Sequence, residues 1–425
     1  MSLLALPNEL LLTVAAYLNS QSAINALMQV NHRLYHLLNI ELCLLNIKRL
    51  RGSGILWAAR MNFLSVVERF VSAGFDLSTC QGDHPIFDAS EHGHIEVVQY
   101  ILNKGADPNL RRYGNRTSVY LASRGGFLSV VQLLFDSGAN DYHDCNDTWS
   151  VRGTPIQAAA FNGHTRVVEY FLSRSGRDRD LASLCFPDAA ISGNTDLISL
   201  LLQHGGDVNF QGMTATRSYG LSALAYAAGH GHVELVRFLL EIGADPNGKG
   251  EPLDRSSPIE EAIWGDYESI VKILLEQDLD NLEYVLFEAC RDHKLEMVNL
   301  LLTKCEIDTQ NESLNPLVAS AESGDLELIQ LFLSKGLNPE PALLEAVSFC
   351  HPEVARFLLE AGTDPNVPST QENAVAKAFL HRNVAIIEVL LHHGAYILPE
   401  TLEHWQQHGS EKMIALSKQF PVFPN

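Results

Sequence analysis

The sequence predicts an all-α chain, a small helical N-terminal segment followed by a solenoid of about eleven short repeats. Three observations carry this. A helix–turn–helix unit recurs down most of the 425 residues. The first 45 or so residues are rich in leucine and do not share that unit. The hydrophobic fraction of 46% is ordinary for a folded chain, yet a single core of this length would be large, which repetition explains.

The unit is clearest at Gly231–Asn247. Val233, Leu235, Val236, Phe238, Leu239 and Leu240 fall at helical spacing, with Glu234, Arg237 and Glu241 as the solvated face. Gly243 ends the helix where a left-handed residue is cheap, and Asp245-Pro246-Asn247 reads as a turn. A shorter small-residue helix precedes it, Ser222 to Ala228. This pattern resembles the ankyrin repeat, T-P-L-x-x-A-x-x-x-G-H-x-x-V-V-x-x-L-L-x-x-G-A-D-x-N. Positions equivalent to Gly231 are Asn62, Gly93, Gly126, Gly163, Gly193, Asp266, His293, Gly324, Cys350 and Arg382, with a truncated twelfth at Gly409. Their spacing scatters around the ankyrin period of about 33 residues. Thr154-Pro155, Ser257-Pro258 and Asn315-Pro316 are expected first-helix starts, a capping side chain before proline. Repeat five has Leu184-Cys185-Phe186-Pro187 instead. Repeats eight and ten, with His293 and Cys350 in place of glycine, should follow tight connections. Thr401 to Phe420 should be a closing helix pair with Gln406, Gln407, His408 and Lys412 outward.

The N-terminus begins Leu6-Pro7-Asn8-Glu9-Leu10-Leu11. Pro7 suits a first helical turn, and Leu10, Val14 and Leu18 then share one stripe. A second helix carries Ile24, Leu27, Met28, Val30 and Leu34. So short a segment cannot bury this apolar surface by itself and must pack on the array, on a partner, or on both. Residues 4–40 resemble an F-box. Leu6, Pro7, Glu9, Leu10, Val14 and Leu18 match its first half, and Ile24, Leu27, Val30 and Leu34 its second. Asn31-His32-Arg33-Leu34-Tyr35 departs from the Cys-Lys-x-[WF] of many animal members. An unrelated helical cap for the solenoid is the alternative. The expected organisation is an F-box at 1–45, a linker at 46–60, ankyrin repeats at 61–399 and a capping half-repeat at 400–425.

Lys+Arg number 30 against Asp+Glu 51, a net charge of −21, which argues against sequence-independent nucleic-acid binding. Residues 251–350 hold much of the acid, suited either to a basic partner or to solvated outer faces. Seven scattered cysteines imply a reduced, intracellular setting, cytoplasmic or nuclear. Cys43, Cys290 and Cys350 read as small core residues. No apolar run is long enough to span a membrane, and no secretory leader is recognisable. No phosphate loop, nucleophile elbow or metal-binding pair appears, so no catalytic set, cofactor or metal is expected. His94, His164 and His232 follow turn glycines and should bond nearby backbone. His143-x-Cys145 lacks a second metal-binding pair and reads as a plain loop.

Recognition is expected on the three long fingers: Leu110 to Arg116, with Arg111, Arg112 and Tyr113; Tyr142 to Arg152, with Trp149; and Phe210 to Tyr219, with Arg217 and Tyr219. Insertions without a partner are the alternative. The two resemblances together imply a non-enzymatic subunit of an SCF-type cullin–RING ubiquitin ligase. Its F-box would dock the Skp adaptor, and through it cullin, by Leu6, Pro7, Leu10, Val14, Leu18, Leu27 and Val30. Its repeats would hold a client protein, with no nucleic acid or membrane involved. The second reading is an ankyrin scaffold that sequesters or localises a partner; an enzyme with an unrecognised site is the third.

Overall fold

The computed structural model describes residues 7, 11, 43–44, 46–47, 52–78, 83–112, 116–140, 153–175, 179–212, 220–248, 256–307, 314–366 and 373–419. The chain divides into two compact units, Met1–Arg255 and Ser256–Asn425.

Among the described residues the first unit holds six helix pairs. They are α1 (Ser53–Arg60) with α2 (Leu64–Ser72), α3 (Pro85–Glu91) with α4 (Ile95–Asn103), and α5 (Ser118–Arg124) with α6 (Leu128–Asp136). Next come α7 (Pro155–Phe161) with α8 (Thr165–Ser175), then an extra helix α9 (Arg179–Leu184), α10 (Phe186–Ser192) with α11 (Thr195–Gln203), and α12 (Ala223–Gly229) with α13 (Val233–Glu241). First helices stack on first helices from α1 to α12, and second helices on one another from α2 to α11. Between α4 and α5 a two-stranded hairpin forms, β1 (Arg111–Arg112) antiparallel to β2 (Arg116–Thr117).

The second unit continues the plan with five pairs. These are α14 (Pro258–Trp264) with α15 (Glu268–Leu274), α16 (Leu282–Arg291) with α17 (Leu295–Leu301), α18 (Pro316–Ser323) with α19 (Leu326–Ser334), α20 (Glu340–Ser348) with α21 (Pro352–Glu360), and α22 (Ala374–Leu380) with α23 (Val384–His392). The chain passes from α15 to α16 and from α19 to α20 by short connections without strands, as the shortened spacing predicts. A closing pair follows, α24 (Pro399–His408) and α25 (Glu411–Ser417), with Gln406, Gln407 and Lys412 exposed and Trp405 fully buried against Phe379.

The caps explain where the first helices begin. Thr154 and Ser257 form reciprocal capping boxes with Gln157 and Glu260, and the Asn315 side chain accepts from Leu317 N. Burial then follows the helical period. In α13, Leu235, Val236 and Leu239 are buried, whereas Leu240 is only half-buried. Each such side chain contributes about 1.5–3 kcal/mol of hydrophobic stabilisation.

All eleven turn positions marked in the sequence have a left-handed backbone, from φ 53° at Arg382 to φ 80° at Gly324. The truncated twelfth does not. Gly409 is extended at φ −74°, because Ser410 immediately caps α25 and the chain enters that helix without a left-handed residue. Two further readings are corrected. Cys350 is exposed at its left-handed turn, not in the core, whereas Cys43 and Cys290 are buried. The stretch read as a linker contains α1, whose Ile55, Ala58 and Ala59 are buried and which packs on α3.

Repeat-to-repeat hydrogen bonds tie the stack. Nε2 of His94, His164, His232 and His351 lies 2.8–3.0 Å from the carbonyl oxygens of Arg60, Arg124, Ile191 and Glu322, each in the preceding repeat. A carbonyl can only accept, so Nε2 carries the proton. The ring also packs on that repeat's turn: a Cβ added at Gly126, Gly193 or Gly324 would lie 2.5–2.7 Å from it. Where the following repeat offers no ring, the glycine is often lost. Asp266 pairs with Lys294 Nζ at 2.6 Å, and His293 Nδ1 lies 3.5 Å from Asp325. A ring from the next repeat crowds the turn at Gly93, Gly126, Gly193 and Gly324, whereas the turn before His94 tolerates Asn62. On the other side of the stack, Asn109, Asn209 and Asn366 each clamp a carbonyl and an amide of the following repeat.

Candidate functional site

The surface built by the hairpin finger and the first helices of the first unit is the candidate site. Two sequence positions generate it. Five and two residues before the turn residue of repeat two, the first helix carries half-buried carboxylates. In repeat two these are Asp88 and Glu91; in repeat three, Arg124 takes the second position. Arg112, on the finger, lies 3.7 Å from Asp83 and 3.9 Å from Glu91, and Glu91 lies 2.9 Å from Arg124. The finger is therefore anchored to its own first helices by alternating charge. Burial pushes the Asp88 carboxyl above the usual carboxylate range, and Arg112 and Arg60 oppose this. Arg116 stands over the Tyr120 ring at 6.0 Å, and burial raises the Tyr120 hydroxyl against the pull of Arg116 and Arg124. Deeper in the stack, Gln157 Nε2 donates to the buried Asp188 at 3.1 Å.

Of the predicted client-binding residues, Arg111 is exposed on β1 and Arg112 is half-buried in the ion pairs just given. Arg112 is thus in part a support for the finger. Tyr113, Trp149, Arg217 and Tyr219 lie outside the described residues, as does His143-x-Cys145. The base of the third finger is closed by an antiparallel bridge between Gly212 and Leu221. There a Cβ on Gly220 would lie 2.9 Å from the Gly212 backbone, so close approach requires glycine. The ladder of Asp88, Glu91, Gln157 and Asp188 was not singled out in the sequence. Counting back five and two from the turn residue finds Asp88, Glu91 and Asp188, but Gln157 stands six before Gly163 and escapes that rule.

Of the predicted adaptor face, Leu6, Leu10, Val14, Leu18, Leu27 and Val30 lie outside the described residues. Pro7 is exposed, and Leu11 N donates to Pro7 O at 3.1 Å, one helical turn, with Leu11 buried. Nearer the repeats, the buried Asn46 Oδ1 accepts from Gly54 N at 3.0 Å. Cys43 and Cys185 are buried, and burial raises both thiols, which keeps them protonated and unreactive. Among the described residues no group of His, Cys, Asp and Glu is placed to hold a metal ion, and no helix is long and apolar enough to cross a membrane.

Comparison with known proteins agrees with this geometry. Ankyrin-repeat profiles match residues 188–250, 259–341 and 286–369, and a second ankyrin profile matches 86–135. The chain is similar to the ankyrin repeat and KH domain-containing protein mask-1 of Caenorhabditis elegans, 24% identical over 71% of this chain and 12% of that protein. It is 30% identical to mouse protein fem-1 homolog A-like over 22% of this chain and 14% of that one. It is 35% identical to the E3 ubiquitin-protein ligase XBAT33 of Arabidopsis thaliana over 21% of this chain and 17% of that one. The matched regions thus span less than a fifth of these relatives. Among solved structures, the human ASB11 ankyrin repeat domain aligns over 53% of this chain and 97% of its own, at 21% identity and a TM-score of 0.43. Ankyrin repeats are present in this chain, and its fold is an ankyrin-repeat solenoid. Such repeats serve protein–protein interaction.

Proposed function

We propose that the protein is a substrate-recognition subunit of an SCF-type cullin–RING ubiquitin ligase. The observation that carries this reading is the Leu6-Pro7-Asn8-Glu9-Leu10-Leu11 opening, with its following leucine stripes, ahead of an ankyrin array. The backbone turn from Pro7 to Leu11 agrees with a helix starting there. Relatives named as E3 ubiquitin-protein ligases lend it support at the level of the repeats alone.

On this reading the chain performs no chemistry. Leu6, Pro7, Leu10, Val14, Leu18, Leu27 and Val30 form the face that docks the Skp adaptor, which links to cullin. The repeats hold a client protein, with Arg111, Arg112, Tyr113, Trp149, Arg217 and Tyr219 at the fingers as candidate anchors. Holding the client beside the conjugating enzyme makes ubiquitin transfer effectively intramolecular. The test is co-purification from cells. Wild type should bring down the Skp adaptor, and Leu10→Asp with Val14→Asp should not. Absence of adaptor and cullin from the wild-type sample would leave a scaffold that sequesters or localises its partner.

A further inference from the structure

The first-helix face of the second unit differs in charge from that of the first. In the finger network of the first unit, Glu91 meets Arg112 and Arg124. In the second unit the supply of cations runs short. Tyr284, Glu288 and Arg291 stand four and three residues apart along α16 and so share a stripe. Glu288 pairs with Arg291, and Glu345 on α20 lies 3.8 Å from Lys377 on α22. Glu322, on α18 between them, sits two residues before its turn. Its carboxylate has no ion pair or hydrogen bond among the described residues. Its backbone is fixed, because its carbonyl oxygen accepts from His351 Nε2 at 2.9 Å. Partial burial and the nearby Glu345 and Glu288 carboxylates push the Glu322 carboxyl up, and Arg291 opposes them. A further cation at this place would relieve both effects.

Two large exposed aromatics stand on first helices of the same unit. Trp264, at the end of α14, is 56% exposed, and Tyr284 is 44% exposed. They occupy neighbouring first helices that pack together. Glu288 is close to both Tyr284 and Glu322, which places the aromatic and acidic parts side by side. Exposed aromatic rings beside an unpaired carboxylate match one chemistry above others. A guanidinium stacks on an aromatic face and forks its donors onto a carboxylate, whereas an ammonium is a strongly hydrated point charge.

We propose that the first-helix face of repeats seven to ten, with Trp264, Tyr284 and Glu322, is a docking site for the arginine side chains of a basic segment of a protein partner. Charge complementarity selects this occupant: residues 251–350 carry much of the excess acid behind the net charge of −21, which repels acidic peptides and nucleic acid. The inference rests on the repeats' role in protein interaction and not on the ligase reading, which adaptor co-purification tests separately.

The experiment titrates the full-length chain into fluorescein-labelled Gly-Ser peptides bearing arginines, lysines or glutamates, read by fluorescence anisotropy. The arginine peptide should bind, the lysine peptide more weakly, and the glutamate peptide not at all. Glu322→Gln and Trp264→Ala should each weaken arginine-peptide binding about tenfold. Glu296→Gln changes the net charge equally but lies exposed on the second helix α17, and should leave binding unchanged. Thermal melts of each variant establish that it is folded. No binding of the arginine peptide, equal binding of the lysine peptide, or equal losses from Glu322→Gln and Glu296→Gln would each overturn the proposal.

Discussion

Two glycines that look alike in the sequence should respond differently to alanine. Gly163 and Gly126 both occupy the left-handed turn between helices, at φ 73° and φ 77°. A left-handed backbone costs an L-residue about 1–2 kcal/mol. Alanine also stiffens the unfolded chain, which returns about 0.4–1 kcal/mol. Gly163→Ala should therefore lose about 0.5–1 kcal/mol, because a Cβ there meets its nearest neighbours at an ordinary 3.6 Å. At Gly126 the Cβ would lie 2.5 Å from His164 Nδ1. The ring must move, and its 3.0 Å bond to the Arg124 carbonyl goes with it, adding about 1 kcal/mol. Gly126→Ala should then cost about 1.5–2 kcal/mol, and the excess should vanish when His164→Ala is already in place. Urea denaturation gives the global values. Hydrogen exchange at the amides of α5 and α7 gives the local ones, since a repeat stack can open locally. Equal losses at Gly126 and Gly163, or no coupling between Gly126 and His164, would refute the packing argument.

A second prediction concerns pH. His84 is fully buried and caps α3: its Nδ1 accepts from Ile86 N at 3.1 Å and its Nε2 donates to Leu77 O at 3.0 Å. Burial lowers its pKa below 6.5, against the Leu77 bond. Below 6.5 the unfolded chain takes up a proton that the native ring refuses. This contribution to stability is therefore complete above 6.5 and falls as the pH drops towards the native value, by at most about 1.4 kcal/mol per unit. His84→Asn keeps a cap without titrating, so urea midpoints measured across this range should depend less on pH than in wild type; an unchanged dependence would count against it. A third prediction concerns the fingers. Changing Tyr113, Trp149 and Tyr219 together to Ala should abolish client capture without lowering the melting temperature. Retained capture would remove the fingers from the recognition surface.

The repeat register was legible because one backbone geometry recurs. Glycine, or a residue forced into its conformation, stands at every marked turn, and even Arg382 and Cys350 obey. Gly409 misled because glycine also serves as an extended cap, and only the Ser410 cap distinguishes the two. The Gly-His step was visible as a local signal, but its partner lies in the preceding repeat, 34–41 residues away. The candidate site was harder to read. Arg112 looked like a free anchor because its carboxylate neighbours, Asp83 and Glu91, come together with it only when the finger folds over α3. His84 stands where threonine is usual, and its capping role depends on burial that the local sequence does not encode.

In the proposed function this chain joins an adaptor to a client. Calorimetric titration of the full-length protein with purified Skp adaptor tests it most directly. The account predicts saturable one-to-one binding that Leu10→Asp with Val14→Asp eliminates while the melting transition of the repeats is unchanged. Absence of binding by the wild-type chain, or binding indifferent to those two substitutions, would contradict it.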